Sequence, residues 1–195
     1  MKRTFHILKY IVLSYACSGL ANAQEAVPYV SDVKMTFTCW NNEFEITYPG
    51  NTSAEPIIAP AQARSTQTSY SGPASFMLSK VTETEDGASS RQIPIADIHL
   101  PLDFKHVLVI LIPSNAPNSD HPYRAIVIND DFEVFPLQSL RFLNFTSYKL
   151  AGQLGSNKFE IAARSEAMSQ PDSTKGPKNL VPFRMLRYLE ETGTW

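Results

Sequence analysis

Cysteine is almost missing from this chain. Of 195 residues only two are Cys, and one of them, Cys17, falls in an apolar start that reads as a leader. The remaining Cys39 has no partner for an intramolecular bridge, so the mature chain must hold itself together by packing. Cys39 sits in the alternating run KMTFTCW and reads as a small buried apolar residue, not a reactive thiol. Several catalytic signatures are missing as well. There is no G-x-S-x-G elbow, no Walker loop and no G-x-G-x-x-G turn, which removes the hydrolases and nucleotide binders that those loops serve. Ser31 and Lys34 spell S-x-x-K. That motif needs a helix to set Lys one turn beyond Ser, and here it leads into a strand where the two face opposite ways. His99, His106 and His121 lack the spacing and partner ligands of a zinc site. Trp40 follows Cys39, and the next His is sixty residues on, which excludes a blue-copper arrangement. No catalytic residue, metal or cofactor is therefore expected.

A surplus of positive charge is lacking too. The first residues run from a basic pair, Lys2-Arg3, through a mostly apolar stretch, Leu8 to Leu20, to the small-x-small triplet Ala21-Asn22-Ala23. This order predicts a signal peptide over residues 1–23, cleaved after Ala23. The apolar stretch is too short to span a bilayer comfortably, and the bulky Tyr15 does not suit a lipoprotein signal ahead of Cys17. Cleavage removes Lys2, Arg3 and Lys9 and no acid, so 17 basic side chains fall to 14 against 19 acidic ones, a charge of −5. That balance argues against nucleic acid and against docking on anionic lipid. The expected location is the periplasm or the extracellular space, with no integral membrane segment after cleavage.

What is present is strand after strand. KMTFTCW (Lys34 to Trp40), the pair Asn41-Asn42 and FEITY (Phe44 to Tyr48) read as a β-hairpin. Residues 50–66 read as a loop. Further strands are expected over Ser75–Glu83 and Arg91–Leu100, with a turn at Asp86-Gly87 between them. Pro94 predicts an edge strand or a bulge in the second of these. His106–Ile112 is apolar throughout and predicts a central strand covered on both faces. After the loop PSNAPNSDHP come Tyr123–Asp130, Leu140–Phe145, Tyr148–Leu154 and Lys158–Ala162, the last two joined at Gly155-Ser156-Asn157. Residues 164–179 are polar and read as loop. Val181–Tyr188 fits a strand or a short helix, and the strand is favoured. The expected fold class is all-β: one antiparallel β-sandwich over residues 24–195, with a possible two-part division near 113–122.

Candidate binding residues are few. Asp120, His121, Asp130 and Asp131 are expected as a polar cluster at one end of the sandwich, able to hold a calcium ion or sugar hydroxyls. Trp40, with Tyr48 and Tyr70, could stack on a sugar face, although such residues also pack across strands. Asn144 starts an N-x-T sequon but lies in a strand, where its side chain can bond neighbouring backbone.

The stretch INDDFEVFPLQSLRFLNFTSYKLAGQLGSNKFEIA, with its RFLNFT core, resembles uncharacterised exported β-sandwich proteins of bacteria and, more loosely, Ig-like domains of the cell envelope. CWNNEFEITY and VPFRMLRY fit the same plan. Such proteins often place a Pro-Gly turn after the strand matching FEIA, where this chain has Ala163-Arg164-Ser165-Glu166. The resemblance implies an exported, non-enzymatic module. The expected partner is an envelope protein or a polysaccharide, the protein through pairing at a sheet edge. The alternatives are a carbohydrate-binding module and a hydrolase of unrecognised type.

Overall fold

A computed structural model describes residues 27–51, 56–84, 89–114, 119–170 and 182–188. The leader-like residues 1–23 and the Asp86-Gly87 turn lie outside the described residues. Those described are all-β, with thirteen strands and no helix. The strands are β1 (Tyr29–Cys39), β2 (Phe44–Thr47), β3 (Ile57–Ala59), β4 (Thr68–Pro73), β5 (Ser75–Glu83), β6 (Ser90–His99), β7 (His106–Pro113), β8 (Tyr123–Asn129), β9 (Leu140–Leu143), β10 (Leu150–Leu154), β11 (Asn157–Ile161), β12 (Glu166–Ser169) and β13 (Phe183–Arg187).

Two four-stranded sheets carry the first eight strands, in the orders β4-β1-β7-β8 and β3-β2-β5-β6. The chain changes sheet after β1, β3, β4 and β6, so each sheet is assembled from distant segments. The period-two pattern then does its work from both sides. Met35, Phe37 and Cys39 of β1, Ile46 of β2, Leu78 of β5, Ile98 of β6 and Val109 of β7 join one hydrophobic cluster with almost no exposure. Each such side chain is worth about 1.5–3 kcal/mol of transfer free energy. Cys39 is buried in this cluster, as the alternation predicts.

The Asn41-Asn42 hairpin does not form. β1 pairs with β4 and β7, whereas β2 pairs with β3 and β5, so Trp40 to Glu43 carry the chain from one sheet to the other. Pairing is mainly antiparallel, as expected, but the β1–β7 ladder is parallel, and so is an isolated bridge between Cys39 and Ala61. Two expected loops also contain strands. β3 lies within 50–66 and β12 within 164–179, and both are short stretches that need a partner to become visible.

Other expectations hold. β7 lies inside its sheet between β1 and β8. β6 is an edge strand, and its register slips by one residue at Ile95 beside Pro94, which is the bulge that proline allows. Phe183–Arg187 is a strand. The loop at 113–122 joins two paired neighbours of one sheet. The sheet organisation changes after β8 instead. There β11-β10-β13 and β12-β9 form two smaller sheets, and Phe142 of β9 stacks on Phe159 and Phe183, with ring centroids 4.5 Å and 5.3 Å away.

Candidate binding groove

The strand YRAIVIN alternates in a way that builds a groove. Tyr123, Ala125 and Val127 of β8 pack against the main core. Arg124, Ile126 and Ile128 therefore point to the opposite, outer face of the sheet. Among the described residues β8 is also an edge strand, with β7 as its one strand partner. The Asp130 amide donates to the His106 carbonyl at 2.9 Å. Antiparallel alternation then turns the amides and carbonyls of Ala125, Val127 and Asn129 away from β7. The Asn129 carbonyl accepts from Arg141 Nη1 at 2.5 Å. Ala125 and Val127 present their outward groups to an open groove of about 600 Å³.

The facing wall is Leu143-Asn144-Phe145 and Arg164-Ser165-Glu166, and Asn144 holds it in place. Its side chain is buried, 1% exposed. Asn144 Nδ2 donates to the carbonyls of Tyr148 at 2.6 Å and Ala162 at 2.8 Å. Its Oδ1 accepts from the Thr146 amide at 3.0 Å and the Thr146 hydroxyl at 2.7 Å. Its own amide donates to Ser165 O at 2.8 Å. The backbone-bonding role read for Asn144 is what the structure displays, and a buried amide with these partners cannot carry a glycan. Arg141 braces the same wall. It reaches back to Asn129, lies 5.1 Å from the Phe135 ring centroid, and sits 3.6 Å from Glu166.

A second, smaller groove of about 270 Å³ adjoins on the same outer face, lined by Thr38, Trp40, Gln62, Arg64 and Ile110 among others. Ile110 pairs directly with Ile126, so the floors of the two grooves meet. Trp40 is 59% exposed there. The Arg64 guanidinium grips both Asp130 carboxylate oxygens, with Nη2 to Oδ1 at 2.9 Å, and this contact raises the Arg64 pKa above its ordinary value.

The five sequence-predicted residues are scattered. Asp120 is exposed in the loop before β8, and His121 Nε2 lies 3.3 Å from Asp97 Oδ2. Asp130 and Asp131 follow the other end of β8, about 23 Å away along a seven-residue strand. The expected cluster at one end is thus not assembled. Among the described residues no group of three or more His, Cys, Asp or Glu side chains could hold a metal. Trp40 and Asp130 do share a neighbour, Arg64. Asp131 instead accepts from the His106 ring at 2.8 Å and the His106 amide at 2.9 Å. Burial pushes its carboxyl up, but the hydrogen bonds from His106 and from the Lys105 amide outweigh that and hold it below the ordinary value. Tyr48 and Tyr70 are core residues, 5.5 Å apart edge to face, so no row of exposed aromatics accompanies Trp40.

Arg64, Arg124 and Arg164 were not legible as site residues. Arg124 carries one signal: it is a lone charge at an outward position of an otherwise apolar strand. Arg64 and Arg164 lie in connecting segments that no local pattern ties to β8. Compared with known proteins, the chain matches no family model, and no curated protein is similar to it.

Proposed function

We propose that this chain is an exported, Ig-like β-sandwich that binds another cell-envelope component by strand addition along β8 and performs no catalysis. The carrying observation is the edge of β8 away from β7, to which no strand among the described residues is hydrogen-bonded although β6 passes near it; Ala125 and Val127 on that edge line a groove with a braced opposite wall. An extended segment laid there gains main-chain hydrogen bonds from the edge and side-chain specificity from the wall. The two four-stranded sheets sharing one core support the sandwich. The leader-like residues 1–23 support export, and among the described residues no helix is long and apolar enough to cross a membrane.

Ala125→Pro tests the reading. Its amide points away from β7, so proline there removes an edge donor without breaking a ladder bond. Tagged wild-type protein is expected to retain a protein partner from envelope extract, and the folded Ala125→Pro variant to lose it. Retention on polysaccharide beads alone, abolished by Trp40→Ala and untouched by Ala125→Pro, would replace this reading with a carbohydrate-binding one.

A further inference from the structure

We infer that the groove along β8 selects an extended peptide segment that carries a carboxylate two residues from an apolar side chain; this rests on the strand-addition reading above. A strand added to β8 sends alternate side chains over the outer face of the sheet. There they meet Ile126, Ile128 and Phe145, an apolar floor and wall. Two arginines, Arg124 and Arg164, line the same groove and are exposed. Among the described residues neither makes an ion pair. Among the described residues Glu166 is the one acid lining the groove, and it is turned to Arg141. The groove therefore offers two uncommitted guanidiniums beside an apolar strip. A guanidinium recognises a carboxylate with two parallel hydrogen bonds.

The backbone fixes where Arg164 stands. Arg164 has φ of 54°, in the left-handed region where glycine is unstrained and other residues are not. Its amide donates to Thr146 O at 3.1 Å, which fixes the turn against the wall that Asn144 holds. Asp32, Gln62 and Gln138 share this region, and of the four Arg164 is the one that lines the groove along β8.

Three amidated peptides test this against the purified protein by fluorescence anisotropy. One is TVTETVTS, one replaces its glutamate with lysine, and one is the first peptide N-methylated at its inner threonines. The acidic peptide is expected to bind saturably and at least tenfold tighter than the lysine peptide, with the N-methylated copy not binding. Arg124→Glu combined with Arg164→Glu is expected to reverse the order. Arg164→Gly, which relieves the backbone, is expected to narrow the preference at least threefold without lowering the melting temperature. Equal binding of acidic and lysine peptides, both abolished by N-methylation, overturns carboxylate selection and leaves strand addition standing. An acidic preference that survives N-methylation overturns strand addition. No saturable binding by any of the three overturns both.

Discussion

β1 to β8 and β9 to β13 are both made of strands, yet they are held together differently. The first region owns a single cluster of buried apolar side chains drawn from two sheets, in which the rings of Tyr48, Tyr70 and Phe76 meet at tilted and edge-to-face angles. The second buries Leu154 and Ile161 beside a polar residue, Asn144, and adds the Phe142–Phe159–Phe183 stack. The first is stabilised by area removed from water, which is spread over many residues and forgives small changes in shape. The second depends on a few specific contacts, each of which fixes the path of the chain. The groove along β8 lies between them, with a floor from the first and a wall from the second.

The contrast can be broken at either end. Phe37→Ala empties the centre of the main core, where Phe37 has no exposure. It should cost about 3–5 kcal/mol, read as a cooperative shift of the whole denaturation curve. Asn144→Ala leaves the Tyr148 and Ala162 carbonyls and the Thr146 amide without their partner and should cost about 2–3 kcal/mol. Here hydrogen exchange should rise across β9–β12 while β1 and β7 stay protected. Equal loss in both regions would show that they unfold as one unit and abolish the distinction. Gly152→Val should cost about 1–3 kcal/mol. A Cβ at Gly152 would stand 2.2 Å from Cζ of Phe159, so the ring must leave the stack, and the near-ultraviolet signal of the stacked phenylalanines should fall.

The smaller effects sharpen the picture. Arg164→Gly should stabilise the protein by up to about 1 kcal/mol in thermal denaturation, because the left-handed backbone is no longer strained. A loss of stability would instead mean that the side chain braces the turn. The pH effect is smallest. Because the native Asp131 carboxyl is held below its ordinary value, its contribution is fully present above about pH 4 and is lost as pH falls through the lowered native value. Asp131→Asn should remove that part of the acid sensitivity, measured as the difference in melting temperature between pH 6 and pH 3.

Strand existence was legible in the sequence because alternation is a local signal. MTFTC names its own buried face by alternation, whereas HVLVILI and AIVIN are read as strands from continuous apolar runs. Pairing was not legible, for a physical reason. FTCWNNEF has the same turn chemistry whether it closes a hairpin or steps between two sheets, since one buried face per strand satisfies either. β3, β4 and β12 were missed: β3 and β12 have patterns three and four residues long, and β4, TSYSGP, carries a single large apolar residue, Tyr70, among small and polar ones. Asn144 was legible as a backbone-bonding residue at a bend. The groove was not, because it exists only where residues 124–128 meet residues 143–145 and 164–166 in space.

The parallel β1–β7 ladder bears on time as well as shape. Lys34 pairs with His106 and Cys39 with Leu111, so one long edge of β1 waits until more than sixty further residues have been made. Closing so large a loop costs entropy before any contact repays it, and topologies rich in such closures fold in milliseconds to seconds rather than microseconds. During that interval the edge of β1 that will meet β7 keeps its amides and carbonyls unpaired, and such an edge can pair with another chain's strand.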